Sequence, residues 1–153
     1  MSLRARFTEA MKDAMRAKDQ LRLEAIRMAM SETKKRDIDA RATGNMDGIG
    51  DADIQSMLQK MIASRRDSIA LYNQGNRPEL AAKEAAEIAV LEAFLPQQMS
   101  PADIEAAAKE AIAEAGAASI RDMGKAMAIL KAKFTGQMDL GTASATVKKL
   151  LGG

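Results

Sequence analysis

The sequence holds no cysteine, no histidine and no tryptophan. Without cysteine there is no disulfide and no thiol nucleophile. Without cysteine and histidine there is no Cys/His zinc site, and without histidine no His-based triad. Acid–base or nucleophilic work would fall to Asp, Glu, Lys, Tyr, Ser or Thr. Aromatic residues make up 3% of the chain, and much of the 47% that is apolar is Ala and Met. Such a composition favours helices over sheets and a thin core of Leu, Ile and Met. No stretch approaches the roughly 18 consecutive apolar residues of a membrane span. Dinucleotide-binding, P-loop and nucleophile-elbow glycine patterns are also missing, so no cofactor is expected. The cysteine-free composition fits a reducing compartment, and a cytoplasmic protein is the expectation. The amphipathic N-terminus carries Glu9 and Asp13 and lacks a continuous apolar centre, which argues against a secretory signal or an acid-poor transit peptide.

What is present reads as helices separated by strong punctuation. Ser2 caps a helix from Leu3 to about Lys18 with Leu3, Phe7, Met11 (or Ala10), Ala14 and Met15 facing inward. Asp19 caps a second, from Gln20 to about Ala42, whose apolar side is Leu23, Ile26, Met30 and Ile38. The glycines of 44–50 mark a loop, and Asp51 reads as the next cap. Asp47, Asp51 and Asp53 do not match the calcium-loop spacing, and no metal is expected. Pro96 closes the fourth helix, and Ser100-Pro101 with Asp103 opens another. Ser119 to Asp122 repeats that opening, and Asp139 caps the last helix. Gly124, inside a helix at a cost of about 1 kcal/mol against Ala, reads as a close helix–helix contact. The expected fold is all-α. An N-terminal domain over 1–95 has about four helices and a long antiparallel hairpin. A linker at 96–99 leads to a small three-helix domain over 100–153.

The hairpin, Asp51 to Met99, organises the chain. At about 100° per residue, Ile54, Leu58, Met61, Ile62, Ile69 and Tyr72 share one face of its first helix, with Arg65 among them. Leu80, Ile88, Leu91, Phe94 and Leu95 make the facing stripe, with Glu84 and Glu87 inside it. Antiparallel folding about the turn sets opposite one another positions whose numbers sum to about 152. Arg65 then meets Glu87, with Glu84 close by. A lone charge on such a seam is costly, so the three residues read as a structural ion network that fixes register. No group nearby completes a reaction site, and no catalytic residue is assigned.

Charge is uneven. The first two helices hold 11 Lys/Arg against 7 Asp/Glu. Lys34-Lys35-Arg36 is either a solvated face or a phosphate-contacting one. Residues 121–149 carry Arg121, Lys125, Lys131, Lys133, Lys148 and Lys149 against Asp122 and Asp139. A small domain with one basic end suits an RNA backbone, and these six are the candidate RNA-binding residues. A solvated surface balancing the acidic 100–120 stretch is the bland alternative.

Three stretches together resemble the YqeY family: SLRARFTEAMKDAMRAKD with RLEAIRM, the central SRRDSIALYNQGNRPELAAKEAAEIAVLEAFLPQQMS, and SIRDMGKAMAILKAKFTG. The resemblance covers essentially the whole chain. Its pattern carries to Arg65, Arg66, Glu84, Glu87, Pro96, Met123, Gly124 and Lys125, none of them a catalytic residue. The family is similar to the C-terminal region of GatB, a subunit of the amidotransferase that converts mischarged Glu- or Asp-tRNA with ammonia from glutamine. The resemblance implies a two-part helical molecule whose counterpart is a tRNA-binding tail, without that enzyme's nucleotide and metal cradle. Three readings follow. One is a non-catalytic accessory protein that binds tRNA or another structured RNA. The second is a protein–protein adaptor, which Met-rich amphipathic faces suit. The third is a component of glutamine-dependent amide transfer to aminoacyl-tRNA, a carbon–nitrogen ligase with glutamine as amido-N-donor.

Overall fold

A computed structural model describes residues 1–152, and among them the fold is all-α with no strand. Seven helices follow in order: α1 Leu3–Arg16, α2 Gln20–Ala42, α3 Asp51–Gln74, α4 Pro78–Glu92, α5 Pro101–Ala115, α6 Met123–Lys133 and α7 Leu140–Leu150. A 3₁₀ turn, Ile120–Asp122, precedes α6. The chain forms two compact units, Met1–Leu95 and the part from Pro96 onward. No helix among the described residues is long and apolar enough to cross a membrane.

In the first unit the start signals of α1 and α2 act as side-chain caps. Ser2 accepts the Ala5 N–H and Asp19 accepts the Arg22 N–H. Phe7, Ile26, Ile54, Leu58, Ile62 and Leu91 are almost fully buried. Phe7 and Phe94 meet edge to face at 4.8 Å, the geometry that aromatic quadrupoles favour. Met15 and Ile38, expected inside, are 52% and 55% exposed. Ala10 and Ala14 fill the α1 contact, and Ala25, Ala29 and Thr33 fill that of α2. Small residues bring the helices close, which leaves the longer flanking side chains outside. The helix α4 stops at Glu92, before Leu95. Shorter i→i+3 bonds from Phe94 and Leu95 follow, and Arg6 donates to the carbonyls of Ala93 and Phe94.

Asp51 does not cap its own helix. Gly50 is the N-cap of α3, and the Asp51 carboxylate accepts the Leu3 N–H at 3.2 Å, closing the start of α1 instead. Beside it Arg4 grips Asp37 through two bonds of 2.7 Å and donates to the Ile49 carbonyl at 2.8 Å. Asp37 also accepts the Ile49 N–H at 2.9 Å. One carboxylate thus ties α1, α2 and the 44–50 loop together. The Arg4 guanidinium holds the Asp37 carboxyl down at about 2, helped by the Ile49 N–H and opposed by burial. Gly48 has a φ of +83°, and a Cβ there would overlap the Asp37 carboxylate.

In the second unit Ser100 and Asp103 form a reciprocal capping box, and Gly116 ends α5 in the left-handed region at φ 63°. Ile104, Ala108, Ala126, Leu130, Met138, Ala143 and Val147 make the core. Met99 N–H donates to the Gln137 carbonyl, and Gln98 donates to Gly136. Ser119 makes no side-chain cap. Asp122 accepts the Ala118 N–H at 3.1 Å, so the chain enters α6 through the 3₁₀ turn.

Gly124 is not a packing contact. It is exposed, and a Cβ there would have no heavy atom within 4 Å. The angular reading could place Gly124 on a face but could not say whether a helix covers it. Since its φ is not positive, Gly124→Ala should raise stability by about 0.5–1 kcal/mol, through helix propensity and a less flexible unfolded chain. A shift of the urea midpoint to higher concentration checks this; a lower midpoint would mean the site does not tolerate a Cβ.

Candidate nucleic-acid interface

The sequence-derived residues form one partly buried set and one scattered set. In the partly buried set, α3 presents Arg65 and α4 presents Glu84 and Glu87, three residues apart and so on one face. Arg65 Nη1 lies 3.2 Å from Glu84 Oε2 and 3.0 Å from Glu87 Oε2. The three side chains are 11%, 19% and 13% exposed. Arg65 Nη2 reaches the Met28 sulfur at 3.5 Å, and its buried Nε finds no acceptor among the described residues. Arg66 bonds Glu92 at 3.2 Å on the exposed side of the hairpin. Both inner carboxylates face a permanently charged guanidinium, and the set offers pairing. Met28 belongs to α2, and no signal within the hairpin sequence could have revealed it.

The scattered set lies in the second unit. Arg121, Lys125, Lys131, Lys133, Lys148 and Lys149 are all exposed. Lys133 is engaged with Glu114 at 2.6 Å, which raises its pKa. The other five have no ion-pair partner among the described residues. They do not form a single stripe. Lys125 and Lys131, six residues apart, fall about 120° from each other on opposite flanks of the Ala126–Leu130 buried edge of α6. Lys148 and Lys149 diverge by about 100° on α7. Such cations can hold phosphates over a broad surface but do not enclose a ligand.

A concave site in the first unit takes in Lys35 and Arg36 of the basic cluster that the sequence singled out, but the groove itself was not legible there. Between α2 and α3 lies a groove of about 560 Å³ that includes Arg27, Met28, Lys35, Arg36, Lys60 and Met61. Its acidic member is Glu32, which pairs with Arg36 at 3.3 Å and with Lys35 at 3.9 Å. The available signal was the four-residue spacing of Arg27, Ser31 and Lys35 on α2 and of Lys60 and Ser64 on α3. Each row lies on one helix face, but only packing brings the two rows together. No cluster of three or more potential metal-ligating carboxylates occurs among the described residues.

Comparison with known proteins gives one family. A family model described as Yqey-like protein matches residues 4–151. Several yeast proteins named "Altered inheritance of mitochondria protein 41, mitochondrial" are similar. That of Vanderwaltozyma polyspora is 35% identical over 85 residues, 56% of this chain and 44% of the relative. That of Lachancea thermotolerans is 34% identical over 105 residues, 69% and 54% of the two chains. That of Kluyveromyces lactis is 34% identical over 90 residues, 59% and 46%. The chain spans about half the length of the curated relatives it matches. Their names overturn the cytoplasmic expectation, since each is called mitochondrial. The physical reason is that a cysteine-free composition reports only that no disulfide is needed, which does not distinguish one reducing compartment from another.

Proposed function

The chain belongs to the YqeY family, and from that premise we propose that it is a non-catalytic helical accessory protein that binds structured RNA, tRNA foremost. The contact runs through the basic end of the second unit. The observation that carries this reading is the set of five exposed cations there, Arg121, Lys125, Lys131, Lys148 and Lys149, left without an acidic partner among the described residues. Unpaired surface cations are the groups that release counterions from a phosphate backbone. On this reading the two compact units are separate domains, 1–95 and 100–153, joined through 96–99. The second serves as the counterpart of the tRNA-binding amidotransferase tail.

The test is a salt series with bulk tRNA. Replacing Lys125, Lys131, Lys148 and Lys149 together with Gln should weaken binding at least ten-fold. It should also flatten the plot of log affinity against log salt by about one unit per lost contact. Lys133→Gln should change little, because Lys133 is already engaged by Glu114. Unchanged affinity and slope in the fourfold variant would remove the basic end from the function. Retention of a protein partner after nuclease treatment, with no tRNA bound, would favour the adaptor reading.

A further inference from the structure

We propose that the groove between α2 and α3 is a second RNA-binding site, one that takes a single-stranded segment with its phosphates on the rim and a base on the floor. The proposal rests on the RNA reading but concerns different residues in a different unit. Three observations carry it.

The first is charge. Arg27 and Lys60 stand on opposite walls, both exposed and both without a partner among the described residues. Lys35 and Arg36 share one carboxylate, Glu32. Arg65 forms part of the inner wall, but its charge is already met by Glu84 and Glu87. The rim therefore carries an excess of free positive charge even with Arg65 discounted. Phosphate answers that excess.

The second is the floor. Met28 and Met61 line the groove, and Arg65 Nη2 holds the Met28 thioether at 3.5 Å. Met28 is 51% exposed although apolar and adaptable. A polarisable thioether beside a cationic rim suits the flat face of an unstacked base, the form in which RNA is most often recognised. The volume, about 560 Å³, falls within the range of small-ligand sites.

The third is direction. Arg27 and Lys35 are eight residues apart and so about 12 Å apart along α2. A strand running along that helix meets both, with Lys60 across from it. The exposed Ser31 and Ser64 hydroxyls border the same groove and can bond phosphate or ribose oxygens. Glu32 is the one repulsive group, and it restrains Lys35 and Arg36.

The experiment uses the full chain and a fluorescein-labelled ten-residue uridine RNA, read by anisotropy over a salt series. Arg27→Gln with Lys60→Gln should weaken binding about ten-fold and lower the salt slope by about 1.4, two contacts' worth for a single strand. Glu32→Gln should act oppositely and tighten binding, which a general loss of structure would not do. Met28→Ser should weaken binding with the slope unchanged. Free AMP measures the source of the chemistry. If AMP displaces the RNA at similar concentration, the site takes a single nucleotide and the strand proposal is overturned; if only far higher AMP displaces it, the strand proposal holds. Unchanged affinity and slope in both the Arg27/Lys60 and Glu32 variants overturns the proposal. So does binding of a ten-residue polyglutamate with the same variant dependence but no RNA binding, which would make this an acidic-peptide groove. Failure of the wild-type chain to bind tRNA would defeat the function proposed above. Intact tRNA binding with silent groove variants would defeat the groove alone.

Discussion

Arg65→Met should destabilise the protein by about 3–5 kcal/mol, the usual penalty for leaving a buried charge without its partner. Removing the guanidinium strands Glu84 and Glu87, whose side chains are 19% and 13% exposed, on the α3–α4 seam. Two carboxylates placed together there repel each other and lack the donors that offset their desolvation. Adding Glu84→Leu and Glu87→Leu to Arg65→Met should recover much of the loss. An apolar set of similar volume avoids desolvating any charge, and the neighbouring Ile88 and Leu91 are already buried. Urea denaturation of the single and triple variants at neutral pH measures both effects. A single variant within about 1 kcal/mol of wild type would show that the network behaves as a surface ion pair. A triple variant no more stable than the single would defeat this account, because the loss would then not come from stranding the two carboxylates.

Asp37→Ala should cost about 2–3 kcal/mol, because three donors lose one acceptor. Arg4 loses both of its 2.7 Å bonds, and the Ile49 N–H loses its 2.9 Å bond. The 44–50 loop should loosen as a result, seen as faster amide exchange at Ile49. Acid titration gives an independent measure. Asp37 is depressed from 3.8 to about 2 in the folded protein, chiefly by its bonds to Arg4. A depressed carboxyl contributes stability that is present above its unfolded pKa and lost as pH falls through its folded one. The window therefore runs from the ordinary value of 3.8 down to about 2. The contribution is about 1–2 kcal/mol once solvent screening at Arg4 is counted, since the Arg4 side chain is 41% exposed. Asp37→Asn should lower stability at neutral pH and flatten the acid loss across that window. An acid profile parallel to wild type would place the pH-sensitive group elsewhere.

Much of the local structure was legible because capping is a short-range affair. Ser2, Asp19, Ser100 and Asp139 each accept the N–H of the third residue of the helix that follows, and a residue type at a fixed offset signals that. Asp51 and Ser119 carried the same signal and do something else. The Asp51 carboxylate had a competing donor 48 residues away, at Leu3, while Ser119 leads into a 3₁₀ turn that Asp122 closes from the other side.

The sequence by itself determined most of the helix starts, that the fold is all-α, and which residues share a helix face, Arg65 with the α3 stripe and Glu84 with Glu87 among them. These properties depend on the 3.6-residue period and on neighbours within one turn. Only the tertiary structure decided which faces are covered. It left Met15, Ile38 and Gly124 outside, brought Arg4 to Asp37 across 33 positions, and set Met28 beside Arg65 across 37. It also aligned the cationic rows of α2 and α3 into one groove. Periodicity fixes the angle of a side chain about its own axis, but the distance between two axes comes from packing, and alanine at the contacts sets how close they come.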